Sequence, residues 1–242
     1  MVVTQGFIGR SQDGNSVTLG REGSDYSASL FAGALQAESI TLWKDVPGVM
    51  NADPVLFPGA APFSFVSYRE AVELTFYGAS VIHPKTIKPL ENAGIPLYVK
   101  SFLHPSEPGT RIEDGQGTLP AVPSLIVKKG QILISLSNPD LSFITSENLA
   151  HALGAFTRTG MPVRLLQYSA LSLSVCSDDT GPETEILIRE LQTHYQVKYN
   201  RNLTLVTIRH YGLDPSLTGE AISGREIILE QRSRITAQFV LI

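Results

Sequence analysis

Apolar and polar positions change rhythm along this 242-residue chain, and each change predicts an element. Ala28, Leu30, Phe31, Ala34 and Leu35 recur at helical spacing, which predicts a helix capped by Ser24 or Asp25. Upstream, Gly6 to Gly9 reads as a strand end and Asn15 to Leu19 as the approach to a glycine-rich turn. Ser39 to Trp43 is a short β-rich run, the pattern of a buried strand, and it delivers Lys44 and Asp45 to a turn containing Pro47-Gly48. Ser67 is followed three residues later by Glu70, the spacing of a capping box, and the helix it opens has an apolar face of Ala71, Leu74, Thr75 and Ala79. His83-Pro84 begins another helix, ended by Asn92-Ala93-Gly94, and Ile95 to Lys100 reads as a strand. Strands alternating with helices predict an α/β domain, a layered sheet with helices on both faces.

The rhythm breaks at Pro105 to Pro123, where four prolines and three glycines mark the expected domain boundary, with the first domain over 1–118 and the second over 124–242. Beyond it, Ser124 to Leu136 is β-rich and Ser146 to Arg158 is an amphipathic helix. Pro162 to Tyr168 and Leu171 to Cys176 are strands, and Glu183 to His194 is a second helix. Gln196 to Tyr199 and Leu203 to Arg209 are expected as separate strands. The β-α-β-β-α-β order over about 124–200 is ferredoxin-like, an α+β arrangement. Residues 201–242 read as an abbreviated repeat: Leu203 to Arg209, a short helix at Ser216 to Ile222, then strands Glu226 to Glu230 and Ile235 to Ile242. The apolar end Phe239-Val240-Leu241-Ile242 is expected to be paired, because a free edge of that kind invites aggregation.

Composition adds limits. The net charge of −4 without long runs gives no reason to expect nucleic acid or an anionic membrane as partner. The single cysteine, Cys176, cannot form an internal disulfide and lies in an apolar run, so a buried structural thiol in a reducing cytoplasm is expected. The start has neither the basic nor the apolar region of a secretion signal, and no apolar run approaches the ~20 residues of a membrane span. The five histidines, His83, His104, His151, His194 and His210, show no metal-ligand spacing. His83 is read as helix punctuation.

The chemistry concentrates in three segments. Gly20 to Asp25 places an arginine, a serine and an aspartate on a glycine-rich turn opening a helix. Such a turn suits anions: the first amides point outward, glycine lets a ligand reach the backbone, and Arg21 can hold a carboxylate or phosphate through two parallel hydrogen bonds. With Trp43-Lys44-Asp45-Val46-Pro47-Gly48-Val49-Met50-Asn51-Ala52-Asp53-Pro54 and Tyr77-Gly78-Ala79-Ser80-Val81-Ile82-His83-Pro84, this segment resembles aspartokinase, in family order and spacing over essentially the whole chain. The resemblance implies the later part of an amino-acid-kinase α/β/α domain followed by ACT regulatory modules, since the Lys-Phe-Gly-Gly motif that begins the family's catalytic domain does not occur here.

What the resemblance implies follows residue by residue. Arg21 and Asp25 are the catalytic pair, and Arg21, Gly23, Ser24 and Asp25 bind aspartate. Lys44, Asp45, Met50, Asp53, Ser80 and Val81 face ATP, which brings Mg²⁺. Lys44 stands where threonine is usual, Val55 where many members have arginine, and Ser80 where lysine is common, so two cations of the ATP side are exchanged for neutral residues. Ser142, Thr145, Leu149, Val163 and Arg164, with Phe143, Asn148 and Pro162 nearby, match an effector site for lysine or threonine, and Asp140 or Glu147 could hold an ammonium in place of the acid usual at Arg164. The ACT region is expected to form a homodimer. The expected activity is that of an aspartate kinase fragment; the alternative is a non-catalytic amino-acid-binding regulatory subunit or a degenerate homologue.

Overall fold

A computed structural model describes residues 1–79 and 81–242. The chain divides into two compact units, residues 1–126 with 212–214, and residues 127–211 with 215–242.

The first unit opens with an antiparallel hairpin of β1 (Ile8–Arg10) and β2 (Ser16–Thr18). Then come α1 (Gly23–Ala34), β3 (Ile40–Lys44), β4 (Phe65–Ser67), α2 (Tyr68–Tyr77), α3 (Pro84–Ala93), β5 (Leu97–Ser101), β6 (Thr110–Glu113) and β7 (Thr118–Leu119). Five strands form one mixed sheet in the order β3-β5-β6-β4-β7, with β3 parallel to β5. The helices form a row, α1 against α3 and α3 against α2. Leu42, Val66, Leu74, Ile87, Leu90, Leu97, Val99 and Ile112 meet in the core between them.

Two expectations change here. α1 begins at Gly23 instead of being capped by Ser24 or Asp25. Glu22 occupies the capping position at φ 55° with no side-chain cap, because Gly20 (φ 77°) and Glu22 both turn the chain through the left-handed region before the helix. Gly23 is required by space: a Cβ there would lie 2.8 Å from the Phe7 ring and 3.0 Å from Leu19 Cβ. Ser27 fastens the same corner, its hydroxyl accepting from the Phe7 amide at 3.0 Å and donating to the Gly23 carbonyl at 2.9 Å.

The second is the place of the boundary, which falls after Ile126 instead of within the Pro/Gly-rich stretch. That stretch supplies β6 and β7 to the first sheet, so its glycines serve crossings within the unit. At Gly109 (φ 71°) a Cβ would stand 2.2 Å from the Val99 carbonyl, which only glycine tolerates. The next residue, buried Thr110, accepts from the Val49 amide at 2.8 Å and donates to the Phe63 carbonyl at 2.6 Å. That hydroxyl fixes the turn after β3 against β6. Ser67 caps α2 by accepting from the Glu70 amide, as its spacing predicts, and α2 ends at Tyr77, so Ala79 lies beyond it.

In the second unit, β8 (Ser124–Ser137, beginning in the first), α4 (Ser146–Arg158), β9 (Leu165–Tyr168), β10 (Leu173–Asp178), α5 (Pro182–Gln192) and β11 (Gln196–Arg209) are followed by α6 (Pro215–Ile222), β12 (Ile227–Arg232) and β13 (Thr236–Leu241). The sheet order is β12-β13-β11-β8-β10-β9. Its last four strands place the fourth of the module beside the first and the third beside the second, the ferredoxin-like arrangement. Alternation along β8 sends Ile132, Ile134 and Leu136 to Phe156, Leu187 and Leu191 of α4 and α5, and Leu133 to the opposite face with Cys176, Leu205 and Val240.

The expected break between Gln196–Tyr199 and Leu203–Arg209 is absent. Asn202, at φ 59°, absorbs the irregularity within one continuous β11. Asparagine tolerates the left-handed region better than most residues, so the polar run Asn200 to Asn202 reads as an interruption in sequence without becoming one in the backbone. β11 therefore serves both the complete module and the abbreviated one. The apolar terminal strand β13 is paired, buried along its whole length between β11 and β12.

A polar knot crosses the sheet under β10. Asp178 accepts from Arg164 through both carboxylate oxygens, at 3.1 and 2.5 Å, and from Gln131 at 3.0 Å, with Lys128 at 4.0 Å. Burial pushes the Asp178 carboxyl up, but Arg164, Gln131 and Lys128 outweigh it and hold it below its ordinary value. Neighbouring Cys176 is fully buried, and burial lifts its thiol to about 12, which makes it inert.

Thr110→Val should destabilise the chain by about 1–3 kcal/mol, because it leaves the buried Val49 amide without its acceptor; urea unfolding measures this, and an unchanged midpoint contradicts the role given to the hydroxyl. A carboxylate with a depressed folded pKa contributes stability that is present above its unfolded value, ~3.9, and lost as pH falls through the lower folded value. Asp178→Asn should thus be less stable at neutral pH, with a shallower loss below about pH 4. Parallel wild-type and variant pH curves would remove Asp178 from the acid transition.

Candidate substrate and nucleotide site

The glycine-rich turn brings Arg21, Ser24 and Asp25 to the start of α1. Arg21 is exposed and makes no hydrogen bond or ion pair among the described residues. Ser24 is exposed beside it, and Gly23 is buried in the corner against Phe7. Asp25 sits in the first helical turn, where a negative charge meets the positive end of the helix dipole.

The partner of Asp25 comes from another element. Lys44, at the carboxyl end of β3, places its Nζ 2.6 Å from Asp25 Oδ2, with side chains 23% and 18% exposed. A residue expected to face the nucleotide is thus the counter-ion of a residue expected to face the substrate. Asp45 follows, exposed and free of protein partners among the described residues.

The loop after β3 is held by its own polar groups. Asn51 pairs with Ala61 through the Asn51 amide to the Ala61 carbonyl at 3.0 Å and the Ala61 amide to Asn51 Oδ1 at 2.7 Å. Asp53 accepts from the Val55 amide at 2.8 Å, an Asx turn that makes its carboxylate a loop-former. Met50 is half-buried in a bridge with Pro62. Val81 packs against the first core, and Ser80 lies outside the described residues. No hydrogen bond or ion pair joins Met50, Asp53 or Val81 to Arg21, Asp25 or Lys44. His83 caps α3 by accepting from the Lys85 amide at Nδ1, 3.1 Å away, so that nitrogen carries no proton there.

In the second unit the loop before α4 forms an open depression lined by Asn138, Pro139, Asp140, Ser142, Phe143, Thr145 and Asn148. Asn138 shapes it, donating to the Ser142 hydroxyl at 2.9 Å and to the Phe143 carbonyl at 3.0 Å. Thr145 and Asn148 close a reciprocal cap at the start of α4. Hydrogen bonds from Ser142 hold the Asp140 carboxyl below its ordinary value. Leu149 and Val163 belong to the apolar cluster under α4, whereas Arg164 is committed to Asp178 and is absent from the lining. Asn138 escaped the reading of the sequence; its signal is the Asn-Pro-Asp turn at the end of a long strand.

Residues 1–101 match the amino acid kinase family. Lysine-sensitive aspartokinase 3 of Escherichia coli is 34% identical over 216 residues, covering 86% of this chain and 48% of that protein. The crystal structure of E. coli aspartokinase III with aspartate and ADP superimposes on 98% of this chain and 56% of its own, at a TM-score of 0.79 and 28% identity. The same enzyme with lysine and aspartate matches at a TM-score of 0.75 and 29% identity, covering 98% of this chain and 55% of its own. The chain thus spans about half the length of these relatives. Residues 1–101 are thus similar to the amino acid kinase family, and most of the chain is similar to the aspartokinases.

Proposed function

We propose that this chain supplies the substrate-gripping part of an aspartate kinase, whose complete form transfers the γ-phosphoryl of ATP to the β-carboxylate of L-aspartate. The observation that carries this reading is the division of labour among three charges. Lys44 neutralises Asp25, which leaves the Arg21 fork unengaged at the mouth of the glycine-rich turn, open to a substrate carboxylate. A guanidinium already paired to Asp25 would have no such vacancy. Aspartate and ADP bound to E. coli aspartokinase III support the substrate and nucleotide classes.

Phosphoryl transfer is mostly positioning and charge stabilisation. Arg21 would orient the acceptor, and the first amides of α1 add positive potential around it. Mg²⁺ would arrive with ATP, keeping phosphate oxygens and waters and needing one or two carboxylates; it supplies charge neutralisation between the phosphates. Exposed Asp45 beside Lys44 fits that demand, and no cluster of three or more His, Cys, Asp or Glu suited to a metal occurs among the described residues.

The second unit is read as the effector-sensing part, with lysine or threonine seated on the loop before α4. Asp140, exposed and held ionised by Ser142, is the acid available to an ammonium, since Arg164 is turned to Asp178. The lysine complex of E. coli aspartokinase III supports lysine first.

In the complete enzyme, Arg21→Ala should weaken aspartate use by roughly 2–4 kcal/mol, the scale for removing one partner of a desolvated charge pair. The loss should fall on the aspartate response and spare the ATP response; equal losses in an ADP-release assay would make Arg21 structural. For the second unit, lysine or threonine at a hundredfold excess over its dissociation constant should add about 2.7 kcal/mol of stability. Asp140→Asn should abolish that thermal shift. A folded chain that neither amino acid stabilises contradicts the sensing role.

A further inference from the structure

Two histidines that stand far apart in the sequence meet in the second unit. His151 lies on α4, and His194 follows the end of α5, the helix packed against it. Their ring centroids are 4.4 Å apart and the rings are tilted at 53°. Tyr195 is buried beside them, 5.7 Å from the first ring and 6.4 Å from the second. No spacing in the sequence announces this pair, because its members come from different elements.

Hydrogen bonds fix which nitrogen of each ring carries the proton. A hydroxyl has a single proton to donate. The Tyr195 hydroxyl donates its own to the Asn148 carbonyl at 3.1 Å, so in its 3.2 Å contact with His151 Nδ1 the ring is the donor. The Thr193 hydroxyl donates to the Glu190 carbonyl at 2.6 Å, so in its 2.6 Å contact with His194 the donor is again Nδ1. In each neutral imidazole Nε2 is then left with a bare lone pair, and neither Nε2 has a hydrogen-bond partner among the described residues. His194 is exposed and His151 half-buried, and neither Nε2 is sealed from solvent.

We infer that His151 and His194 form a site for a divalent transition metal, with the two Nε2 atoms as ligands and water in the remaining positions. Imidazole nitrogen suits zinc, copper and nickel, whereas magnesium and calcium take oxygen. A ligating histidine ordinarily donates its other ring N–H to an oxygen, which holds the ring and raises its basicity; Tyr195 and Thr193 already accept those bonds. Zinc–nitrogen bonds of about 2.0–2.1 Å put two nitrogens of a tetrahedral ion about 3.4 Å apart. Tilted rings at 4.4 Å reach that separation by a small turn of exposed His194. His194 also stands just past the C-terminus of α5, where the helix dipole favours a cation. Two protein ligands make an open, exchangeable site, unlike the closed four-ligand sites of structural zinc. An ion bound there clips α4 to the end of α5. Through Tyr195 it is linked to Asn148, which caps α4 and lines the depression before it.

Titration calorimetry of the whole chain with Zn²⁺, with melting curves in Zn²⁺ and in Mg²⁺, tests the site. Zn²⁺ should bind saturably and raise the melting midpoint, because it binds the folded pair; Mg²⁺ should leave the midpoint unchanged. His151→Gln and His194→Gln should each weaken Zn²⁺ by about tenfold or more, at least the scale for losing an outer-shell partner. His104→Gln, which removes an exposed histidine of the first unit, should leave binding as it was. Nitrogen-15 NMR of the unsubstituted chain at about pH 8, where ordinary imidazole is neutral, needs no variant to fold. It should show the Nδ1–H tautomer at both residues, and both Nε2 signals should move when Zn²⁺ is added. An Nε2–H tautomer at either histidine, Nε2 signals that ignore Zn²⁺, or binding that survives either single substitution would each overturn the inference. So would a loss in His104→Gln equal to that in His151→Gln, or a midpoint raised by Mg²⁺ as much as by Zn²⁺.

Discussion

A carboxylate in the first turn of α1 and an ammonium at the end of β3, 2.6 Å apart, tie the two edge elements of the first unit together. Much of the local architecture serves that meeting. Gly23 lets α1 start against Phe7 and Leu19, which sets where Asp25 emerges. The parallel register of β3 with β5, Lys44 opposite Ser101, sets where Lys44 emerges. Thr110 then fixes the turn that follows, at the Val49 amide and the Phe63 carbonyl.

The sequence displayed the ingredients of this site and hid their pairing. Arg21, Asp25, Lys44 and Asp45 were legible because a glycine turn before a helix and a polar pair after a β-rich run each have a local cause. That Lys44 belongs to Asp25 was not legible, since the pairing depends on how α1 packs on β3 across 19 residues of chain. The same distinction explains the stretch from Pro105 to Pro123. Its prolines and glycines look like a linker, yet Gly109 is glycine because the chain crosses the Val99 carbonyl, a fact of tertiary contact. His83 went the other way: a helix cap needs only its own two neighbours, and the sequence contained them.

In the second unit local pattern was enough for the order of elements and insufficient for their sharing. Alternation along β8 and helical spacing in α4 and α5 specify a ferredoxin-like module by themselves. Nothing local says that β11 runs unbroken through Asn202 and carries the abbreviated module on its other half. The partner of Arg164 was hidden for a related reason. Its sequence neighbours matched a loop expected to bind an effector, but the sheet brings Asp178 from β10 to it, and the guanidinium fork makes two hydrogen bonds to that carboxylate. Asp140 on the loop before α4 is the acid that stays exposed, and its hydrogen bonds from Ser142 favour its charged form.

Energetic weight is what finally separates the two ion pairs. Asp178 and Arg164 stand in a network with Gln131 and Lys128, so the charges are shared among several partners and hold the sheet. The side chains of Asp25 and Lys44 have no further ion-pair partner among the described residues, and each is about a fifth exposed. Pairs that water still reaches are typically worth no more than about 1 kcal/mol, too little to explain placing two charges at the edge of a fold for stability alone. Their attraction strengthens severalfold when the surrounding dielectric falls. A pair that is weak in the open and strong when covered gains most wherever water is kept from it, so the strength of the tie between α1 and β3 is set by what lies over it.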